Sequence, residues 1–283
     1  MSSDAAHEPV IVAIDAGTTG VRAFAIDGDG RPVGRSYREF TQHFPQPGWV
    51  EHDAAEIWDT TRTVLAELDA QLGRPIAAIG VTDQRETVVA WDRRTGVPRA
   101  RAIVWQDRRT AQRCDELAAA GELDRVRRLT GLVLDPYFSA SKMEWLLRHG
   151  GVAEDEHLAF GTIDSWLVWN LTGGASHVTD PSNASRTMLY DICEHTWSEE
   201  LCDLFGVPLA ALPEVRPSAG EFGRTVDGSG LAAGIPITGV AGDQQASLFG
   251  QACVHPGMAK NTYGTGSFVL MNIGSRCPDP AEG

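Results

Sequence analysis

The stretch "VIVAIDAGTTGVRAFAI" at 10–26 decides the fold class. Residues 10–15 form a short apolar run that ends in an acid, the pattern of a buried strand, and "GTTG" at 17–20 is a turn. Val21, Ala23 and Ala25 then alternate with Arg22, Phe24 and Ile26, and a period of two means a second strand. "DGDG" at 27–30 supplies Gly and Asp where positive φ is cheap, which predicts a hairpin into a third extended segment reaching Phe40. The chain therefore opens with an antiparallel meander. A dinucleotide-binding fold would follow its glycine turn with a helix instead.

Beyond the meander the pattern alternates between helix and strand. Asp53 and Glu56 have capping-box spacing, with Asp in place of the usual Ser or Thr, and Ile57, Val64, Leu65, Leu68 and Leu72 form one apolar face ended by Gly73 and Pro75. Buried strands are predicted at 76–82 and 235–243, and a strand running into a turn at 87–96. Further helices are expected at about 107–120, 139–149, 163–171 and 198–205, with another after Asp243. The segment 217–234, rich in Gly, Ser and Ala, reads as a surface loop. These elements make an α/β chain with a mixed sheet.

Composition narrows the function classes. The 283 residues carry 42% hydrophobic and 22% charged side chains, an ordinary globular mixture. A formal net charge of −14 opposes nucleic-acid and anionic-membrane partners, although a local site can still hold a small anion. The five cysteines are odd in number and never spaced C-x-x-C, so free thiols in a reducing cytoplasm are expected. The start "MSSDAAHEPV" lacks the basic and apolar regions of a signal peptide, and no run is apolar enough for a membrane span.

Three motifs carry chemistry. In Gly17-Thr18-Thr19-Gly20, glycines let a ligand approach the backbone N–H groups and two hydroxyls add donors, which makes a phosphate cradle. Asp15 could hold a hydrated Mg²⁺ beside it, and Arg22 could reach a terminal phosphate bidentately. An ordinary tight turn with a capping Asp would use the same residues. Asp243 and Gln244 follow a buried strand directly, where open α/β sheets bind ligands and where a carboxylate can accept a hydroxyl proton. A helix N-cap is the alternative for Asp243. Arg85 and Glu86 would point to opposite faces of a straight strand, so a shared pocket requires the backbone to depart from β geometry at 84–87; otherwise they form a surface ion pair of little worth. Trp105 and Tyr137 suit the walls of a small site, or simply the core.

Taken together, "GTTG", "PQPGWVEHD" (45–53), "TDQRE" (82–86), "AIVWQDRRT" (102–110), "GLVLDPYFSASK" (131–142), "DPSNASRTML" (180–189), "AGDQQASLFGQ" (241–251) and "KNTYGTGSF" (260–268) resemble the FGGY carbohydrate kinases, and among them those that act on glycerol. The resemblance runs from about residue 9 to 274. It implies a ribonuclease-H-like (actin-like ATPase) domain at 9–251, with 252–283 beginning a second such domain and ATP held between the two. It further implies that Asp243 is a general base, that Arg85, Glu86, Asp243 and Gln244 hydrogen-bond glycerol, and that Trp105, Tyr137 and Phe268 line its site. Asp15 and Asp243 would serve Mg²⁺, Gly17, Thr18, Thr19 and Arg22 the ATP phosphates, and Gly264 and Thr265 the nucleotide from the other side. The complete enzyme would be cytoplasmic and a homo-oligomer. A kinase for a related polyol or ketose, and a non-catalytic actin-like nucleotide-binding module, are the alternatives on the same fold. Where members of the family usually carry Gln after the first Asp, this chain has Ala16, and the turn continues "GVR" (20–22) where two serines are typical.

"NTYGTGSFVLMNIG" at 261–274 repeats the plan of the opening stretch: strand, Gly/Thr turn, strand. Two such hairpins suggest a duplicated architecture whose second half has only begun. Phe268, Val269, Leu270 and Met271 are then expected to lack partner strands, leaving 258–283 exposed, mobile or prone to associate.

Overall fold

A computed structural model describes residues 8–264 and 266–277. The meander is present as expected: β1 (Val10–Ala16), β2 (Gly20–Ile26) and β3 (Pro32–Glu39) pair antiparallel in sequence. The alternation in β2 has its physical meaning here, since Val21, Ala23 and Ala25 are fully buried. Strand β4 (Ile76–Asp83) then pairs parallel to β1. A side ladder joins β5 (Val89–Asp92) to β6 (Leu158–Gly161). Strands β7 (Ala219–Arg224) and β8 (Pro236–Gly242) complete a six-stranded mixed sheet of order β7-β8-β4-β1-β2-β3, with β8 parallel to β4 and β7 antiparallel at the edge.

Helix α1 (Ala54–Leu72) covers the meander. Its cap is Asp53, whose carboxylate accepts from the amides of Ala55 and Glu56, and Gly73 ends it in the left-handed conformation. Only half of the expected capping box forms: the Glu56 carboxylate accepts from the amide and hydroxyl of Thr41 instead of turning back to Asp53. The tertiary contact with the end of the meander outcompetes the local one. Helices α2 (Ala111–Ala119), α4 (Ser139–Arg148), α5 (Ile163–Leu171), α7 (Glu199–Phe205) and α8 (Asp243–Gly250) stand where expected. Helices α3 (Leu123–Thr130) and the four-residue α6 (Pro181–Ala184) are additional.

Two apolar clusters hold these layers. One lies between the sheet and helices α1 and α5, around Ile14, Ile57, Leu65, Ile79, Trp166 and Ile237. The other gathers Met143, Phe160, Leu201 and Phe205 beneath α4 and α7.

Two expectations are corrected. The segment 217–234 is not all loop, because Ala219–Arg224 is the edge strand β7. Gly220 and Gly223 hide its period, so Phe222, fully buried, is the only large apolar side chain marking the inward face. The cysteines are not all free: Cys193 and Cys277 form a disulfide, while Cys114, Cys202 and Cys253 are buried thiols. The two partners are 84 residues apart and meet only through the tertiary structure, so spacing could not reveal them.

After α8 the chain forms the antiparallel hairpin β9 (Ala259–Tyr263) and β10 (Ser267–Met271), a two-stranded sheet of its own. Val269 (69%) and Met271 (57%) are largely exposed, but Phe268 and Leu270 are half-buried and β10 is paired with β9 along its length, so only one face of the hairpin is open to water; residues 278–283 lie outside the described region. Among the described residues no helix is long and apolar enough to cross a membrane.

The fit of α1 to the meander is tight at Gly34 on β3, where an added Cβ would come within 2.8 Å of a Leu68 methyl. Leu68→Ala should therefore cost about 2–5 kcal/mol and Gly34→Ala about 1–3 kcal/mol. The double variant should cost less than the sum, because the new methyl enters the space vacated by leucine. Urea unfolding of the four proteins measures the coupling; strict additivity would show that the two residues do not share that space.

Candidate active site

The site is built from three parallel strands that end level with one another. Ala16 of β1 pairs with Asp83 of β4, and Asp83 with Gly242 of β8. Each strand then releases a different device: the turn Gly17–Gly20, the segment 84–87, and Asp243 as the first residue of α8. The cap position belongs to Gly242, which makes no side-chain cap bond, so Asp243 is not a simple N-cap.

Segment 84–87 leaves β geometry as the pairing of Arg85 with Glu86 required. Glu86 has φ 64°, a left-handed conformation rare for a residue with a Cβ, and strain of this kind concentrates at functional sites. The bend turns both side chains into one cavity of about 130 Å³, lined by Thr18, Gln84, Arg85, Glu86, Trp105, Tyr137, Asp243, Gln244, Thr262, Gly264, Gly266 and Phe268. All seven residues expected to contact a polyol are among them. That volume is well below the roughly 300–1,000 Å³ of pockets that take drug-sized ligands.

Polar groups in this cavity are held in place by one another. Arg85, 5% exposed at its side chain, puts Nε 3.2 Å from Asp243 Oδ1 and donates from Nη1 to Gln245 Oε1 at 3.2 Å. Gln244 donates its backbone N–H to Asp243 Oδ1 (2.7 Å) and its side-chain amide to Asp243 Oδ2 (3.0 Å). Glu86 accepts from Arg186 Nε at 2.6 Å. Trp105 stands edge-on to Tyr137 at 5.8 Å and to Phe268 at 6.4 Å, and its indole N–H donates to Thr18 Oγ1 at 2.9 Å. Burial pushes the Tyr137 phenol up to about 12, assisted by the charge of Glu86, so its O–H stays a hydrogen-bond donor.

On the turn side, Asp15 and Arg22 pair across β1 and β2, their charged atoms 3.9 Å apart. Burial raises the Asp15 carboxyl pKa most, Arg22 opposes, and the negative charge of Asp243 adds to the rise. Gly17, Thr19, Asp15 and Arg22 lie outside the lining of the small cavity, while Thr18 joins both regions. Gly264 lines the cavity from the hairpin, and Thr265 lies outside the described residues.

Several supporting residues carried no signal that sequence reading used. Gln42 donates to the carbonyl of Thr18 (2.9 Å) and Gln84 to that of Gly17 (3.0 Å), and His52 bridges the two glutamines, Nε2 to Gln42 Oε1 at 2.7 Å and Nδ1 to Gln84 Nε2 at 3.4 Å. This pattern needs a neutral ring, with Nε2 donating and Nδ1 accepting. Lys260 of β9, 4% exposed, donates to Gln244 Oε1 at 2.5 Å and so turns the Gln244 amide toward Asp243. Arg186 lies within quoted "DPSNASRTML", but a lone arginine there gave no reason to place it against Glu86. Beneath the site Asp83, Asp164 and Asp180 are fully buried, and both Asp83 and Asp164 are pushed up, by burial first and then by their acidic neighbours.

A larger cavity of about 400 Å³ between α2 and α4 is lined by Arg109, Arg113, Glu144 and Arg148 among others. Its guanidinium groups are already engaged, Arg113 and Arg148 with Glu144, and Arg109 with Glu51 and Asp107. The residues expected to contact a polyol all line the smaller one.

The mixed sheet, with its antiparallel opening and its parallel strands ending level, is the ribonuclease-H-like fold of the actin-like ATPases and sugar kinases. The solved structure of Plasmodium falciparum glycerol kinase with ADP superposes with a TM-score of 0.90 at 37% identity, over 94% of this chain and 55% of that one. A gluconate kinase from Lactobacillus acidophilus, at 20% identity and a TM-score of 0.86, shares the fold. Residues 10–250 match the FGGY family of carbohydrate kinases, N-terminal domain, and the chain belongs to that family. Among curated proteins, glycerol kinase of Carboxydothermus hydrogenoformans is 55% identical over 280 residues, covering 96% of this chain and 56% of that protein. Glycerol kinase of Trichlorobacter lovleyi is 57% identical over 273 residues, covering 94% of this chain and 55% of its own length. The chain thus spans little more than half the length of the relatives it matches.

Burial holds the imidazoles of His52 and His177 near pKa 4, with His43 as a further cause at His52 and Arg93 at His177. A folded value below the free value of about 6.5 means that the unfolded chain takes up these protons first. Each histidine therefore withdraws stability as pH falls from about 6.5 toward 4, while the raised Asp83 and Asp164 act in the opposite sense. Nitrogen-edited NMR should find His52 neutral at pH 5, with the proton on Nε2. A ring charged at that pH would overturn the bridge between the two glutamines.

Proposed function

We propose that this chain forms the polyol-binding and phosphate-binding half of an ATP-dependent glycerol kinase, which converts glycerol to sn-glycerol 3-phosphate. The observation that carries this reading is one small cavity: Arg85, Glu86, Asp243 and Gln244 supply polar contacts, Trp105, Tyr137 and Phe268 supply apolar walls, and the phosphate turn stands at its edge. A polyol presents hydroxyls along one side and carbon on the other, and this lining is divided in the same way. The names of the relatives agree with it.

In the proposed mechanism Arg85 and Glu86 hold two hydroxyls and the aromatic edges hold the carbon chain. The third hydroxyl is left beside Asp243, whose carboxylate accepts its proton as the oxygen attacks the terminal phosphorus of ATP and ADP departs. Gln244 and Arg85 keep Asp243 turned toward the cavity, and Thr18, Thr19 and Arg22 bind the phosphates. Asp15 and Asp243 would hold Mg²⁺, which supplies charge neutralisation for the phosphoryl group. Among the described residues no cluster of three or more ligating side chains could hold a metal, so the ion would share its coordination with phosphate oxygens and water, as Mg²⁺ commonly does. Most of this is positioning and electrostatics. Hairpin β9–β10 is read as the start of a second domain, 252–283, that would complete the adenine side. ATP supply favours the cytoplasm as the place of work.

Two measurements test the proposal. Calorimetry on the 283-residue chain should detect glycerol binding but little affinity for Mg-ATP, and the chain alone should not turn over; robust turnover would mean that the nucleotide site is already complete. In a form extended by the C-terminal portion that the relatives carry, Asp243→Asn should lower kcat by about 10²–10⁴-fold, as expected for loss of a general base, with glycerol KM nearly unchanged. Near-normal kcat would remove Asp243 from the chemistry. A panel of longer polyols and ketoses in the same assay identifies a different substrate if glycerol fails.

A further inference from the structure

Lys142 is a fully buried ammonium that the mechanism does not use. It lies in the first turn of α4, and both of its hydrogen bonds go to backbone carbonyls, Tyr137 O at 2.6 Å and Phe138 O at 3.0 Å. Burying an ammonium costs several kcal/mol unless charge and hydrogen bonds compensate. A helix start needs no such group, since an ordinary Ser, Thr, Asp or Asn cap would do. The position of those carbonyls suggests what the lysine is for. Tyr137 is a wall of the polyol cavity, and the rings of Tyr137 and Phe138 lie under the Arg186 guanidinium at 5.5 and 4.9 Å.

The same helical turn fastens the other parts of that wall. Ser139, also fully buried, donates its hydroxyl to the carbonyl of Glu86 at 3.0 Å, the residue held at φ 64°. The amide of Ala140 donates to the carbonyl of Thr187 at 2.8 Å, next to Arg186. Three segments far apart in sequence, around 86, 137 and 186, are thus tied to four consecutive residues. Cap residue Phe138 contributes no side-chain hydrogen bond, so the side chains of Ser139 and Lys142 are free for this purpose.

We propose that Lys142 and Ser139 are positioning residues for substrate recognition: they set the spacing between Tyr137, Glu86 and Arg186, and so the length of polyol the cavity accepts. This rests on the polyol reading of the site. Neither side chain touches the ligand. Lys142 fixes the height of the Tyr137 backbone, Ser139 holds the strained Glu86 peptide, and the Arg186–Glu86 contact at 2.6 Å closes the triangle. Burial pushes the Lys142 amine down to about 7, with Glu86 the first of the acids that oppose the shift. The amine keeps two N–H groups when neutral, enough for both carbonyls.

The test uses the 283-residue chain and calorimetry with glycerol and with the four-carbon polyol erythritol. In Lys142→Met the carbonyls lose their charged donor, and glycerol affinity should fall by about tenfold or more, the size of a lost charge-assisted hydrogen bond. The ratio of glycerol to erythritol affinity should fall with it, because a wall free to move admits the longer ligand. Ser139→Ala should shift the ratio in the same direction by a smaller factor, and it decides the matter if Lys142→Met does not fold. A purely structural role would lower Tm and weaken both ligands equally, leaving the ratio unchanged, and that result would overturn the inference. Unchanged affinities in both variants would do the same. If the wild-type chain binds glycerol, only this inference is at stake; if it binds neither polyol, the substrate reading fails and this inference falls with it.

Discussion

Parallel pairing places Ala16 beside Asp83 and Asp83 beside Gly242, so β1, β4 and β8 end in register. The site depends on that hydrogen-bonded alignment. A strand that slipped by one residue would turn every side chain to the opposite face, and the segment beyond it would miss its partners. The alignment is protected by burial, since Val12, Ile14, Ile79, Ile237 and Val240 along these strands lose nearly all contact with water. The Gly17–Gly20 turn, the Arg85–Glu86 bend and Asp243 are therefore delivered to one place by a rigid element rather than by flexible loops.

Charge is handled differently at each depth. The chain as a whole is strongly acidic, yet cations gather around the cavity: Arg85 beside Asp243, Arg186 on Glu86, and Lys260 on Gln244. Arginine suits the buried positions because its planar fork serves several acceptors and stacks on aromatic rings, as Arg85 does over Phe268 at 5.6 Å. Deeper still, Asp83, Asp164 and Asp180 rely on hydrogen bonds rather than cations, and burial raises the carboxyl pKa of Asp83 and Asp164. Asn183 joins Asp83 to Asp180. The Ser182 hydroxyl, which donates to Asp180, accepts from the amide of Gly242 and supports the residue before Asp243.

Hairpin β9–β10 belongs to the site as much as to whatever follows it. Lys260 and Phe268 reach back to Gln244, Arg85 and Trp105, although the outer face of the hairpin is exposed. A lysine ammonium is donor-only, so it must face the oxygen of the Gln244 amide, which leaves the nitrogen for Asp243. The orientation of Asp243 is thereby coupled to the seating of the hairpin.

Much of this molecule was legible in one dimension. Period two in β2, the Asp53 cap and the Gly73 stop of α1 report local physics, and local physics is written in neighbouring residues. Asp243, Arg85 and Glu86 were found for the same reason, since an acid at a strand end and adjacent opposite charges are local oddities. The edge strand β7 was missed because glycines erased its period, and the Glu56 half of the capping box because Thr41 offered a better partner from outside the helix. Nothing in the spacing of Cys193 and Cys277 could announce a bond, nor could the order of Gln42, His52 and Gln84 announce a bridge. Those pairings are decided by which groups lose their water together, and only the packed tertiary structure determines that. By itself the sequence specified the meander, the helices and the candidate residues; the fold decided that seven of those residues share one small cavity, and that Lys142, buried with its hydrogen bonds on two backbone carbonyls, fastens the wall of that cavity.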